Sequence, residues 1–239
     1  MSTIRGVDVS RHQRPDRCNW NVAYAVGAIT FVYVKGSEGA GGAGAYVDPS
    51  AAEHVASIRR TPISVGMYHF ARPDNRFKLS SDGAANGRAE AEHAIETAKS
   101  LGLAWRGSLP VAIDHEKYTD KALGITDAQR DAFLLAMVDT IAEDLGRMPI
   151  LYTGANMIAF QHTSGLPEQL RKRGVLLWLV NYTRKPDPER EVPGLPWSIW
   201  QHSGGGEFEM AAPVPGLPKP IDQNVYRGTD AEFAALIGV

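Results

Sequence analysis

Asp114 and Glu116 stand two residues apart in Leu109-Pro-Val-Ala-Ile-Asp-His-Glu116, where an apolar stretch of strand character ends in acids. Successive strand side chains alternate faces, so both carboxylates project to one side with Cβ atoms roughly 6–7 Å apart. At that separation each charge opposes ionisation of the other, which keeps one carboxyl protonated near neutral pH. Hydrolysis of a glycosidic bond asks for this pair: an acid to protonate the leaving oxygen and a carboxylate to stabilise or attack the anomeric centre. Two solvated acids at a surface strand end are the simpler alternative. The run before them weighs against it, because it reads as a strand buried on both faces.

Two further acids occupy comparable places. Asp8 ends the first strand in Gly6-Val-Asp-Val-Ser10, and Asp222 sits in Pro220-Ile-Asp-Gln-Asn224 at the last. If first and last strands are neighbours in a closed barrel, four carboxylates converge on the C-terminal rim, where barrel enzymes keep their active sites. Singly, such acids are more often turn or cap residues; together they favour a site. Tyr33, Tyr68, Phe70, Tyr152, Trp178, Tyr182, Trp200 and Gln201 lie near other strand ends. They suit a sugar chain, whose apolar faces stack on rings and whose hydroxyls need fixed partners. Aromatic residues fill cores more often than they meet ligands. The selection for substrate binding is therefore narrower: Tyr68, Tyr152, Trp178, Tyr182 and Gln201.

A repeating frame has to place these residues. Short β-branched runs alternate with helix-like stretches, the mark of βα units and a parallel sheet. Eight strands are expected near Ile4–Val9, Thr30–Lys35, Ile63–Phe70, Leu109–Asp114, Pro149–Tyr152, Val175–Asn181, Trp197–Gln201 and Ile221–Asn224. Helical spacing runs through Ala51–Arg60, Arg88–Leu101 and Thr126–Leu145. Thr126 fits an N-cap, as does Asp48 with Pro49 at the first helical position. From about Lys185 to Pro220 proline and glycine dominate, so irregular helices and loops are expected in the last third. The expected fold is α/β, a single flattened, TIM-like β/α barrel of about eight strands, with the barrel flattened or incomplete where helices thin out. With neither a fixed-period repeat nor a long linker, residues 1–239 are read as one domain.

Composition excludes several function classes. The chain is 44% hydrophobic and 22% charged, enough for a large core and without a disorder signature. A formal net charge of −2 and a pI near 6.4 give no bulk field for nucleic acid or anionic lipid. The lone Cys18 excludes an intramolecular disulfide and a multi-cysteine zinc site, and a partly buried small side chain is its simplest role. Met1-Ser-Thr-Ile-Arg-Gly enters a strand without the basic and apolar regions of a secretory leader, and no run reaches the ~18 apolar residues of a membrane span. Gly39-Ala-Gly-Gly-Ala-Gly44 matches G-x-G-x-x-G after a strand. However, Tyr46-Val-Asp-Pro49 intervenes before the helix and Gly66-Met-Tyr-His-Phe70 brings no ribose-holding acid, so no nucleotide is expected. The histidines include no H-E-x-x-H, and His115 should face away from its neighbouring acids, so no metal is expected. There is no G-x-S-x-G elbow and no evident base for Cys18, which argues against Ser or Cys hydrolysis. No cofactor is required.

Taken in order, these segments resemble glycoside hydrolase family 25, the Chalaropsis-type lysozymes of bacteria, fungi and phage endolysins. The resemblance spans nearly the whole chain. It rests on Gly6-Val-Asp-Val-Ser10 with Asn19-Trp20, Phe31-Val-Tyr-Val-Lys-Gly-Ser-Glu-Gly39, Tyr46-Val-Asp-Pro49, Gly66-Met-Tyr-His-Phe70 and Ile113-Asp-His-Glu116. Pro149-Ile-Leu-Tyr-Thr153, Leu176-Leu-Trp-Leu-Val-Asn-Tyr182, Ser198-Ile-Trp-Gln201 and Ile221-Asp-Gln-Asn224 follow. It implies an N-acetylmuramidase that cleaves the β-1,4 bond between N-acetylmuramic acid and N-acetylglucosamine in peptidoglycan. Glu116 matches the general acid, Asp114 its partner carboxylate, and Asp8 and Asp222 acids of the same cleft.

The implied partner is the peptidoglycan glycan strand, met by a monomer, and no separate wall-binding domain is seen. With no leader visible, the expectation is an endolysin made in the bacterial host cytoplasm and released to the wall through a membrane pore. Direct attack by Asp114 and steering of the substrate's own N-acetyl oxygen both stay open. Carboxylates on alternate residues of one strand lean towards substrate-assisted retention. The glycine-rich Gly39–Gly44 and the long polar Arg72–Gly87 depart from the family and border the cleft, where they bear on which glycan modifications and peptide stems are accepted. The rival reading is a barrel that binds wall glycan without cutting it, for which burying repelling acids gains nothing.

Overall fold

The computed structural model describes residues 4–41, 45–73, 82–116, 125–182, 188–205 and 212–238. The chain alternates strand and helix through β1 (Ile4–Val9), α1 (Trp20–Ala25), β2 (Ile29–Glu38), the two-residue β3 (Tyr46–Val47), α2 (Ala51–Ile58), β4 (Ser64–Phe70), α3 (Gly83–Ser100), β5 (Ala112–Asp114), α4 (Asp127–Leu145) and β6 (Ile150–Gly154). There follow α5 (Ala155–Gln161), α6 (Leu166–Arg173), β7 (Leu176–Val180), the four-residue α7 (Pro188–Glu191), β8 (Trp197–Ser203), β9 (Asp222–Tyr226) and α8 (Asp230–Ile237). Helices thin out in the last third, as the proline and glycine content predicts. Among the described residues no helix is long and apolar enough to cross a membrane.

The barrel is closed. Its strands run β1-β9-β8-β7-β6-β5-β4-β2, and β2 returns to pair with β1, which removes the open edge expected of an incomplete barrel. Strands β1, β2 and β4 to β8 run parallel to one another, whereas β9 is antiparallel to both β8 and β1, and the short β3 is antiparallel to β2. The parallel alternation expected from the sequence thus fails at β9; among the described residues no helix lies between β8 and β9 to carry the chain back to the starting end.

Strand alternation divides the core in two. On β2, Val32 and Val34 pack outward against the helices, while Phe31 and Tyr33 point into the barrel. With both faces buried, the strands become the near-continuous apolar runs that betray them in the sequence. Inside, β1 offers no side chain at Gly6: a Cβ there would lie 2.3 Å from the Phe31 ring, so the glycine leaves the space that the ring fills. Phe233 of α8 meets Phe31 from below, with ring centroids 5.7 Å apart, and closes the base. Arg147 donates to Ser108 O (2.9 Å) and to Leu236 O, tying α8 in place.

Several local expectations are corrected. Asp48 does not cap α2; Ser50 takes that position without a side-chain bond. Asp48 instead accepts from Ser50 N (2.9 Å) and from Arg11 N (3.0 Å), joining two loops of the rim. Of the polar stretch Arg72–Gly87, the part from Gly83 is the first turn of α3, capped by Asp82. Its glycines disguise it, and tertiary packing accounts for them. A Cβ on Gly83 would lie 2.2 Å from Gln129 O and one on Gly87 2.1 Å from Phe133 O, so only glycine lets α3 approach α4 so closely. Thr126 caps α4 in a reciprocal capping box with Gln129. Residues 42–44 of the glycine-rich loop and 74–81 of the polar stretch lie outside the described residues. Cys18 is half-buried, and burial pushes its thiol up to about 11.

Candidate active site

Inward positions at the upper strand ends converge. Asp8 of β1, Tyr68 of β4, Asp114 of β5, Tyr152 of β6, Trp178 of β7, Gln201 of β8 and Asp222 of β9 line one cavity of about 130 Å³, together with Glu116 and Tyr182 just past β5 and β7. The nine residues selected from the sequence are therefore brought together. Asp222 arrives by a different route from the others. Since β9 runs antiparallel, its first residue lies at the rim where the parallel strands end, directly opposite Asp8 in register.

A hydrogen-bonded chain holds one wall of this mouth. Tyr152 and Tyr182 both donate to Gln201 Oε1, each at 2.8 Å, which turns the amide nitrogen of Gln201 towards Asp8 Oδ2 (2.9 Å). Asn224 Nδ2 donates to the same oxygen at 2.8 Å, and its Oδ1 accepts from Trp178 Nε1 at 2.8 Å. Asp8 also hydrogen-bonds Asp222. Burial pushes the Asp8 carboxyl up, against these bonds, which favour its ionised form.

The facing wall carries the second pair. Asp114 is buried and Glu116 opens to solvent at the lip, with their carboxyls hydrogen-bonded to each other. Two carboxyls can bond in this way only by sharing a proton. Burial holds Asp114 well above the usual carboxylate range, reinforced by the charges of Glu116 and Asp8. Partial burial in the cleft, with the charge of Asp8 after it, raises Glu116 as well. Asp114 Oδ1 is buried without a hydrogen-bond partner among the described residues, an acceptor with nothing to accept.

Two residues not selected from the sequence contribute. Asn224 was within a noted motif, and its alternation with Asp222 places it on the inner face. Lys35 shares the inner face of β2 with Phe31 and Tyr33, four and two residues before it. Its ammonium pairs with Glu38 at 2.7 Å, sits over the rings of Phe70 (4.9 Å) and Tyr46 (5.6 Å), and favours ionisation of both Asp114 and Glu116. The period-two reading of Phe31-Val-Tyr-Val-Lys35 would have found it.

Three candidate aromatics serve otherwise. Tyr33 packs in the core against Trp178 (4.8 Å) and donates to Pro110 O (3.1 Å), supporting the cavity's Trp178 without lining the cavity itself. Phe70 sits under Lys35 and Arg72 at the rim. Trp200 faces outward, bonded to Asn181 O (2.7 Å). His115 points away from its neighbouring acids, with Nε2 2.8 Å from Nε2 of His162. Ser37, His69 and Glu90 form a serine–histidine–carboxylate line (2.8 and 3.1 Å) on the barrel's outside, but Ser37 is 0% exposed and no substrate reaches it.

Residues 7–210 match the profile of Glycosyl hydrolases family 25. The chain belongs to that family. This family 25 hydrolase is 28% identical over 243 residues to YegX of Escherichia coli strain K12, a protein described as uncharacterized, covering 98% of the chain and 74% of YegX. It superposes on the bacterial lysozyme from Streptomyces coelicolor with a TM-score of 0.78 at 24% identity, over 99% of this chain and 98% of that one. With a family 25 lysozyme from Aspergillus fumigatus the TM-score is 0.73 at 23% identity, with full coverage of both chains. At such identities the likeness carries the fold. The family match ends before β9, so the position of Asp222 in the hydrolase's cleft rests on strand pairing and on its place in the cavity lining.

Proposed function

We propose that this family 25 hydrolase is an N-acetylmuramidase of the bacterial wall, acting as a monomer on the β-1,4 bond between N-acetylmuramic acid and N-acetylglucosamine. The observation that carries this reading is the hydrogen-bonded Asp114–Glu116 pair at the end of β5. Two carboxyls bonded to each other on one side of a strand end suit neither a nucleophile set across the sugar from its acid nor an attacking water held between the pair. The substrate's own acetamido oxygen then serves as nucleophile.

In the unliganded pair, deeper burial favours the proton on Asp114. An acetamido N–H presented to Asp114 supplies the donor its buried oxygen lacks, so Asp114 ionises and the shared proton passes to Glu116. Glu116 protonates the glycosidic oxygen as the C1–O bond breaks, while the acetamido oxygen bonds to C1 and Asp114 balances the positive charge of the resulting oxazolinium ion. Water, deprotonated by Glu116, then adds to C1, reopening the ring with retained configuration and restoring the acid. Tyr68, Tyr152, Trp178 and Tyr182 supply ring faces and hydroxyls for the sugar, and the Gln201–Asp8–Asn224 chain keeps that wall rigid. Such cleavage serves lysis of the wall.

The test is turbidity loss of purified peptidoglycan with wild type and Glu116→Gln, followed by mass analysis of the reduced fragments. The expected result is clearing by wild type, muramic acid at the new reducing ends, and an inert variant. If both proteins bind the wall and neither releases sugar, the barrel is a glycan-binding module and the roles given to the acids are wrong.

A further inference from the structure

The proposed acid lies one residue past the last backbone anchor. Ala71 N donates to Asp114 O and His115 N to Tyr152 O, both at 2.9 Å, extending the ladder beyond β5. Among the described residues no backbone hydrogen bond holds Glu116 itself. What fixes this segment on its outer side is the His115 side chain. Strand alternation sends it opposite to both acids, into the layer between the barrel and the helices, where it is 0% exposed. Its Nε2 lies 2.8 Å from Nε2 of His162, which precedes α6. His162 Nδ1 in turn lies 2.7 Å from Asp131 Oδ1 on α4, and Thr163 bonds the same carboxylate.

One proton position in this chain is dictated by its end: Asp131 accepts from His162 Nδ1. Between the two Nε2 atoms one ring donates and the other accepts. Burial, His162 and Arg130 all disfavour a charged His115, so that ring stays neutral within the chain. A buried polar chain costs desolvation that an apolar side chain would not, and Ile113 shows that an apolar residue suits the same outer face. What three directional bonds add is angular precision at a backbone position flanked by both carboxyls.

We propose that the Asp131–His162–His115 chain is a positioning device for the hydrolytic pair, anchoring residues 114–116 from behind so that Glu116 is held against Asp114. This rests on the reading of Glu116 as the acid. The groups that face Glu116 are Asp114, Asp8 and Lys35; those that face His115 are His162 and Arg130. With the anchor broken, Glu116 swings to solvent and its carboxyl moves down towards the ordinary range.

The experiment compares wild type with His162→Phe, which keeps a ring and removes both nitrogens, with His115→Gln, whose amide can donate to or accept from His162, and with Asp131→Asn. In His162→Phe, kcat on soluble peptidoglycan fragments should fall about 10- to 100-fold with little change in KM, the scale of a misplacement of about 1 Å. The alkaline limb of its kcat–pH profile should move to lower pH, and amide hydrogen exchange over residues 112–116 should quicken. His115→Gln should recover most of the rate. Should His162→Phe not fold, Asp131→Asn carries the same comparison with smaller shifts. Unchanged exchange over 112–116 together with an unmoved pH limb would overturn the inference. A wild type inert on peptidoglycan would overturn the proposed function instead, while exchange would still report whether the chain anchors the segment.

Discussion

The two ends of the barrel interior are built on the same strand alternation with opposite chemistry. At the base, Ile4, Phe31 and Phe233 meet in apolar contact, backed by Tyr226, Leu236 and Ile237. At the mouth, a few residues further along the same strands, four carboxyls crowd one small cavity, and burial raises Asp8, Asp114 and Glu116 above their ordinary range. The base removes apolar surface from water and stabilises the fold. The mouth holds ionisable groups out of water against their preference, which destabilises the fold and readies the groups for proton transfer. The difference shows that a barrel can assign stability and chemistry to separate ends of one core.

The sharpest way to break that division is Glu116→Gln. Activity on peptidoglycan should fall about 10²- to 10⁴-fold, the usual worth of a general acid, while the thermal midpoint holds or rises. A midpoint that drops as far as for a base substitution would undo the contrast. Phe233→Ala addresses the other end: removing this ring should cost about 3–5 kcal/mol in denaturant unfolding and leave the rate per folded molecule unchanged.

A third prediction concerns pH and Asp114. A folded carboxyl raised above its ordinary value of 3.8 adds stability below that value, and this contribution is lost as pH rises through the folded value. Wild-type stability should therefore decline from weakly acidic towards neutral pH, and Asp114→Asn should flatten the decline. Equal pH slopes in the two proteins would show that the mouth carries no such cost. The smallest effect belongs to Lys35→Met. Without the ammonium that favours ionisation of Asp114 and Glu116, both limbs of the activity profile should move up by less than about one pH unit. A downward shift would place Lys35 outside the electrostatics of the pair.

Much of this was legible in the sequence because period two and strand ends are local properties. Ile113-Asp-His-Glu116 needs only its own alternation to put two acids on one side and His115 on the other, and the apolar runs of buried strands announce themselves. The first turn of α3 was not legible. Gly83 and Gly87 have poor helix propensity, and the reason they are helical lies on α4, at Gln129 and Phe133. His162 and Asp131 gave no local sign either, since each meets His115 or its partner only across the helical layer.

By itself, then, the sequence determined which residues face inward at each strand end, and so which side chains were available to the cleft. Tertiary structure alone decided that the barrel closes, that β9 runs backwards to bring Asp222 opposite Asp8, and that Asp8 is gripped by Gln201 and Asn224, 193 and 216 residues away. The physical reason is range. Alternation is set by each strand's own backbone, whereas burial, shared protons and the rise in carboxyl pKa come from neighbours that only closure brings within reach.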